Sequence, residues 1–261
     1  MSQIKDLAYF YVLTASLLKN YSLILLLSVM INTVQVAQAQ VIKTRIYLIH
    51  GQGSDSRLFS KLRLNADYDT VCLNLPLPEK GETMEHFAQK LIPEIDTTVP
   101  FILIGVSLGG MVAAELNDLL HPLQTILISS AKNRSELPGR YKFMRVIPLY
   151  KLFPAGFIKA SSFIMQPLVE PDRKKEKALF KNMLHEKDSR FLKRSIPLII
   201  NWQKTDNNGK QLYHLHGRKD HTIPLRNIKS PQIVSGGSHM MVLTEAEFIS
   251  EKINEILLKP K

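Results

Sequence analysis

Cysteine is almost absent: the 261 residues contain one, Cys72. That excludes an internal disulfide, and no group of cysteines and histidines has the spacing of a zinc site. Cys72 lies in Thr70-Val-Cys-Leu-Asn-Leu75, where it reads as a small apolar residue on a buried strand. Internal repeats and low-complexity tracts are missing as well, which excludes solenoid arrays. No aromatic-basic motif of a nucleic-acid-binding module is present, so the net charge of +11 does not point to a nucleic-acid partner. What remains is ordinary for a folded chain: 45% hydrophobic and 22% charged. The length suits one domain with an inserted subdomain.

The amino terminus differs from the rest. Lys19 precedes the apolar run Tyr21-Ser-Leu-Ile-Leu-Leu-Leu-Ser-Val-Met-Ile31, and Ala37-Gln-Ala39 follows with the small-x-small pattern of a signal-peptidase site. Residues 1–39 therefore read as a secretory signal with Gln40 as the first mature residue, which places the protein in the periplasm or medium. Residues 7–18 are also apolar, so an uncleaved membrane anchor is the alternative; Lys19 and Asn20 interrupt such a span.

The positive charge is concentrated. Residues 131–200 hold 16 Lys or Arg against 6 Asp or Glu, whereas the remaining mature chain balances at 16 against 16. This segment reads either as a solvated helical face or as a positive rim attracting anionic substrates or a membrane surface.

From Gln40 onward, short apolar runs alternate with amphipathic stretches. Strands are expected over 45–50, 70–75, 101–106, 124–129, 211–216 and 232–235, and helices over 83–95, 109–120 and 244–258. In the last, Phe248, Ile249, Ile253, Ile256 and Leu257 recur on one face. Alternation of this kind predicts an α/β fold, with a mostly parallel sheet of about six strands flanked by helices. Residues 40–131 and 203–261 supply that core. Residues 132–202 break the rhythm and read as a helical, basic cap insertion, in which Leu179, Phe180, Met183 and Leu184 share a face.

The chemistry sits at strand ends. Gly105-Val-Ser-Leu-Gly109 follows an apolar strand and opens a helix. A serine on so tight a turn needs small neighbours, because Cβ atoms there would collide. It then projects from the sheet edge, and the backbone N–H of Leu108 points at a developing oxyanion. A second donor is expected from His50-Gly-Gln-Gly53 after the first strand, with the N–H of Gln52 as candidate; His50 itself reads as a brace for the loop. A serine hydroxyl needs a base, and the base needs an orienting acid. Leu215-His-Gly-Arg-Lys-Asp220 puts Asp220 just past a strand, and Ser235-Gly-Gly-Ser-His239 puts His239 past the next. Ser107, His239 and Asp220 are thus the candidate nucleophile, base and acid, with Asp206 the fallback acid. His214 and His216 lie on a strand, so one is expected to point inward and the period excludes neither, and His221 is too close to Asp220 in the chain for triad geometry.

These motifs together resemble the α/β-hydrolase superfamily, in its serine-nucleophile branch with a helical cap. The resemblance runs from about residue 45 to 258, carried by His50-Gly-Gln-Gly53, Gly105-Val-Ser-Leu-Gly-Gly110, His216-Gly-Arg-Lys-Asp-His-Thr-Ile-Pro224 and Gly237-Ser-His239. It implies cleavage of a carboxylic ester or related acyl bond through an acyl-enzyme, without cofactor or metal, on a small-molecule acyl substrate. Thioesterase or other serine-type chemistry on an anionic substrate is the alternative, and a non-catalytic ligand-binding member of the fold is a third reading. The antiparallel hairpin that opens many members has no room in a chain starting at Gln40. Leu149, Leu152, Phe153, Phe157, Phe163 and Met165 are expected either to form an acyl pocket or to be the insertion's own core.

Overall fold

The computed structural model describes residues 18–22, 24–26, 43–169, 173–206 and 211–259. Residues 18–22 and 24–26 are helical and exposed, and the expected cleavage site at Ala39 and Gln40 lies outside the described residues. No helix among the described residues is long and apolar enough to cross a membrane. Residues 43–261 form a compact unit of their own.

Six parallel strands make one sheet: β1 (Arg45–Ile49), β2 (Asp69–Leu73), β3 (Phe101–Val106), β4 (Gln124–Ile128), β5 (Leu212–Gly217) and β6 (Gln232–Val234). Their order is β2-β1-β3-β4-β5-β6. Every residue of β3 and β4 is buried, which is why β3 and residues 126–128 of β4 are continuous apolar runs rather than alternating ones. Successive side chains still go to opposite faces. Ile46, Leu48, Ile102, Ile104, Ile126 and Ile128 pack on one side, and Tyr47, Ile49, Leu103 and Leu127 on the other. Each such side chain, fully buried, contributes about 1.5–3 kcal/mol.

Helices α1 (Met84–Gln89) and α2 (Leu108–Leu120) cover the second face. The helix expected over 83–95 is capped by the Thr83 side chain but stops at Gln89, and a 3-10 turn, Ile92–Glu94, takes over. Pro93 is the reason: it lacks an N–H and disfavours helical geometry at the residue before it. Helix α2 ends where His121 turns left-handed (φ 50°) ahead of Pro122. Four helices fill the stretch between β4 and β5: α3 (Gly139–Val146), α4 (Ala155–Val169), α5 (Lys177–Glu186) and α6 (Ser189–Ile200). In α5, Phe180, Met183 and Leu184 are buried, as their shared face predicts. The chain closes with α7 (Met241–Thr244) and α8 (Ala246–Leu257), which pack on the first face.

Two side chains of the strand-and-helix core depart from expectation. Cys72 is exposed, because β2 is the edge strand and its side of the sheet is uncovered there. Phe248 is 40% exposed, off the buried stripe of α8, with Lys252 over its ring.

The order reverses between β1 and β3, since β2 lies on one side of β1 and β3 on the other. A crevice at the carboxyl ends of strands opens at such a switch point. Ser107 follows β3 there, beside the loop that follows β1. The turn is tight enough that a Cβ on Gly109 would lie 2.1 Å from the Ile49 carbonyl oxygen, and one on Gly105 would lie 2.3 Å from the Gly109 carbonyl oxygen. Gly109→Ala is therefore expected to cost about 3 kcal/mol or more in urea unfolding. Gly139→Ala, where nothing lies within 4 Å, should change stability by less than about 0.5 kcal/mol.

Candidate active site

Three of the predicted site residues meet at the carboxyl end of the sheet. Ser107 sits between β3 and α2 with φ 53° and ψ −119°, a conformation that a residue with a side chain rarely adopts. Its N–H is tied to the Ile128 carbonyl (3.0 Å), and its carbonyl accepts from Ser130 Oγ (2.7 Å). The serine hydroxyl lies 2.9 Å from His239 Nε2, and His239 Nδ1 lies 2.8 Å from Asp220 Oδ2. A carboxylate only accepts, so Nδ1 carries the proton and Nε2 is left to accept from Ser107. Asp220 and His239 are both buried, at 2% and 7% exposure. The other carboxylate oxygen, Oδ1, accepts from the Ile223 N–H (2.7 Å). The loops bearing Asp220 and His239 touch through glycine: a Cβ on Gly217 would lie 2.4 Å from the Gly237 carbonyl oxygen.

The two candidate oxyanion donors occupy the expected loops. Leu108 is the first residue of α2, where an N–H has no acceptor inside its own helix. Gln52 lines the cavity in front of Ser107, and neither N–H is bonded among the described residues. The Gln52 side chain does something the sequence did not reveal. Its amide donates to the Leu192 carbonyl (2.9 Å) and to Ser195 Oγ (2.7 Å), pinning the β1 loop to α6.

Three further histidines, His50, His214 and His216, are buried. His214 and His216 are both buried, since residues two apart on a strand share a face. His216 Nε2 donates to the Ile223 carbonyl (2.7 Å) and lies 3.5 Å from Asp220 Oδ2, while its Nδ1 faces His214 Nε2 at 3.3 Å. Burial pushes the pKa of each below the ordinary imidazole value. His50 Nδ1 donates to the Gly51 carbonyl (2.9 Å), and burial, with Lys187 nearby, pushes its pKa down to about 4. His221 and Asp206 are exposed.

A cavity of about 170 Å³ fronts Ser107 and His239, a scale at which a protein cavity accepts a benzene-sized group. Its apolar wall comes from Met111, Phe180, Leu184, Ile199 and Ile223, and its polar contacts from Tyr141, Ser162, Gln166 and Thr222. None of the six apolar residues expected to form an acyl pocket lines it. Leu149, Leu152, Phe153, Phe157 and Met165 are exposed, so they are not an interior core of the insertion either. Phe163 is half-buried. Tyr141, Ser162 and Gln166 had no sequence signal, because single polar residues on helices acquire meaning only when packing turns them towards Ser107.

The buried histidines make stability pH-dependent. An unfolded imidazole titrates near 6.5, whereas native His50 resists protonation until about pH 4. As pH falls below about 6.5 the unfolded chain takes up protons first, so stability is full above that pH and declines towards pH 4. His50→Asn keeps a donor for Gly51 and removes the titrating group. Urea unfolding should show the loss from pH 7 to pH 5 reduced by about 2 kcal/mol in this variant. An unchanged loss would mean that His50 is not held neutral.

Comparison with known proteins bears on the family and the fold. The model of the alpha/beta hydrolase family matches residues 46–251. Among solved structures, a lipase-esterase related protein from Clostridium acetobutylicum is 15% identical with a TM-score of 0.63, over 83% of this chain and 95% of that one. A thermophilic esterase from Thermogutta terrifontis is 18% identical with a TM-score of 0.64, over 82% and 89%. An enol-lactonase from Burkholderia xenovorans is 12% identical with a TM-score of 0.66, over 85% and 94%. No curated protein matches the chain by sequence. The structural neighbours share the overall fold, and the family match runs from β1 into α8: the chain belongs to the alpha/beta hydrolase family.

Proposed function

We propose that the chain is a serine hydrolase cleaving a small carboxylic ester or related acyl bond. The observation that carries this reading is the unbroken hydrogen-bonded chain from Ser107 through His239 to Asp220, ending on a serine whose backbone is held in a strained turn. A non-catalytic binding protein has no use for that strain, whereas a nucleophile does. Ser107 Oγ attacks the acyl carbon as His239 Nε2 takes its proton. The N–H groups of Gln52 and Leu108 hold the resulting oxyanion, and the leaving group departs with the proton from His239. Water then enters by the reverse path and releases the acid. Asp220 fixes the imidazole tautomer throughout.

The cavity size favours short acyl groups. Hydrolysis of p-nitrophenyl acetate and butyrate is expected, with p-nitrophenyl palmitate a poor substrate. Ser107→Ala should lower kcat by at least about 10³-fold, and Asp220→Asn by about 10³–10⁴-fold. A folded wild-type protein that neither turns over these esters nor labels at Ser107 with a fluorophosphonate would sink the proposal.

The positive start, apolar run and Ala37-Gln-Ala39 support export with cleavage before Gln40. Amino-terminal sequencing of the protein recovered from its native host should then begin at Gln40. A chain retaining residues 1–39 would assign that segment as an anchor.

A further inference from the structure

The helical insertion leaves an apolar face uncovered. Of thirteen large apolar side chains exposed between residues 43 and 259, nine lie between Phe143 and Met165. Val146, Leu152 and Ile164 are each more than 70% exposed, and the rings of Phe153 and Phe157 stack on each other at 4.7 Å. These residues sit on well-packed elements. Both α3 and α4 rest on α6, Tyr150 is buried in the turn between them, and Lys193 Nζ holds that turn through the Phe153 carbonyl (2.6 Å). The same helices send Tyr141, Ser162 and Gln166 to the cavity, so each helix is apolar on a side that the fold does not use.

The segment that forms this face carries charge of one sign. Residues 137–169 contain five Lys or Arg and no Asp or Glu. Lys159 is committed to the carbonyls of His185 and Lys187, and Arg140 to the Thr222 carbonyl. Lys142, Arg145 and Lys151 are exposed and form no ion pair among the described residues. An apolar patch of this extent on a soluble unit marks an interaction surface. A second copy of this chain fits it poorly, since a twofold contact would set the same cations against each other. A bilayer with anionic headgroups offers an apolar interior and negative charge in one surface.

We propose that the face formed by α3, the turn Leu149–Leu152 and the start of α4 docks on an anionic phospholipid bilayer. Leu152, Phe153 and Phe157 enter the headgroup–acyl boundary, and Lys142, Arg145 and Lys151 meet the anionic headgroups. This holds whatever reaction Ser107 carries out, and it places the cavity-lining helices at the membrane surface.

The full chain is tested with Leu152→Trp, because the native Trp202 is 2% exposed and reports little from the surface. Vesicles of phosphatidylcholine mixed with phosphatidylglycerol should shift the new emission to the blue and expose it to quenching by brominated lipid. Phosphatidylcholine alone should do so at least tenfold more weakly, and K142Q/R145Q/K151Q should erase that preference. L152D/F157D should weaken partitioning at least tenfold at an unchanged unfolding midpoint and unchanged kcat/KM for a soluble ester, since neither residue lines the cavity. F157W replaces L152W if the latter lowers the unfolding midpoint. Emission that stays unshifted while the protein sediments with vesicles would assign binding to another segment and overturn the proposal. So would a dimer in sedimentation velocity that L152D/F157D abolishes, which would give the face to a second copy.

Discussion

The turn at Ser107 is the constraint on which the site depends. A chain leaving a buried parallel strand must reverse into a helix within one residue, and it does so with a positive φ on a side-chain-bearing serine. That conformation persists because the surroundings over-determine it. The turn is bonded to β4 through the Ser107 N–H and to Ser130 through the Ser107 carbonyl, and α2 lies against the end of β1 without room for a Cβ at Gly109. What the strain achieves is direction. The serine hydroxyl is aimed over the sheet edge, and the first free N–H of α2 lies beside it.

Around this turn the protein gathers polar groups that would be costly to bury singly. Asp220 is inaccessible to water yet satisfied, by the Ile223 N–H on one oxygen and by His239 on the other. His216 seals the same loop through the Ile223 carbonyl. Such a network is cohesive only when each member has its partner, and the low local dielectric that makes an orphan expensive also strengthens the bonds that are made. Burial also holds the imidazoles of His50, His214 and His216 below the ordinary pKa, which ties stability to pH.

The helical insertion has two jobs on two surfaces. Inward, it supplies Tyr141, Ser162, Gln166, Phe180, Leu184 and Ile199 to the cavity, and α6 grips the β1 loop through the Gln52 amide. That grip couples a candidate oxyanion donor to the insertion, so a shift of α6 would be felt at Gln52. Outward, α3, the turn after it and α4 carry exposed apolar side chains, and Lys142, Arg145 and Lys151 form no ion pair among the described residues, features that a purely structural lid would not need.

Much of this architecture was legible in the chain itself. Period and length placed all six strands to within a few residues, the central ones most plainly, because a parallel strand buried on both faces is written as an apolar run whatever its neighbours. Ser107, Asp220 and His239 could be grouped from the sequence for a related reason: tight turns at strand ends demand glycine, and serine, carboxylate and histidine follow one another at strand ends in the order this fold uses. Tertiary structure alone decided the rest. Cys72 is exposed because β2 became the edge, an outcome of strand order that no local pattern encodes. The run from Phe143 to Met165 looks like an interior and lies on the surface, since hydrophobicity specifies a preference for leaving water but not what will provide the cover. The cavity's polar contacts come from helices distant in the chain, and only packing could turn them towards Ser107.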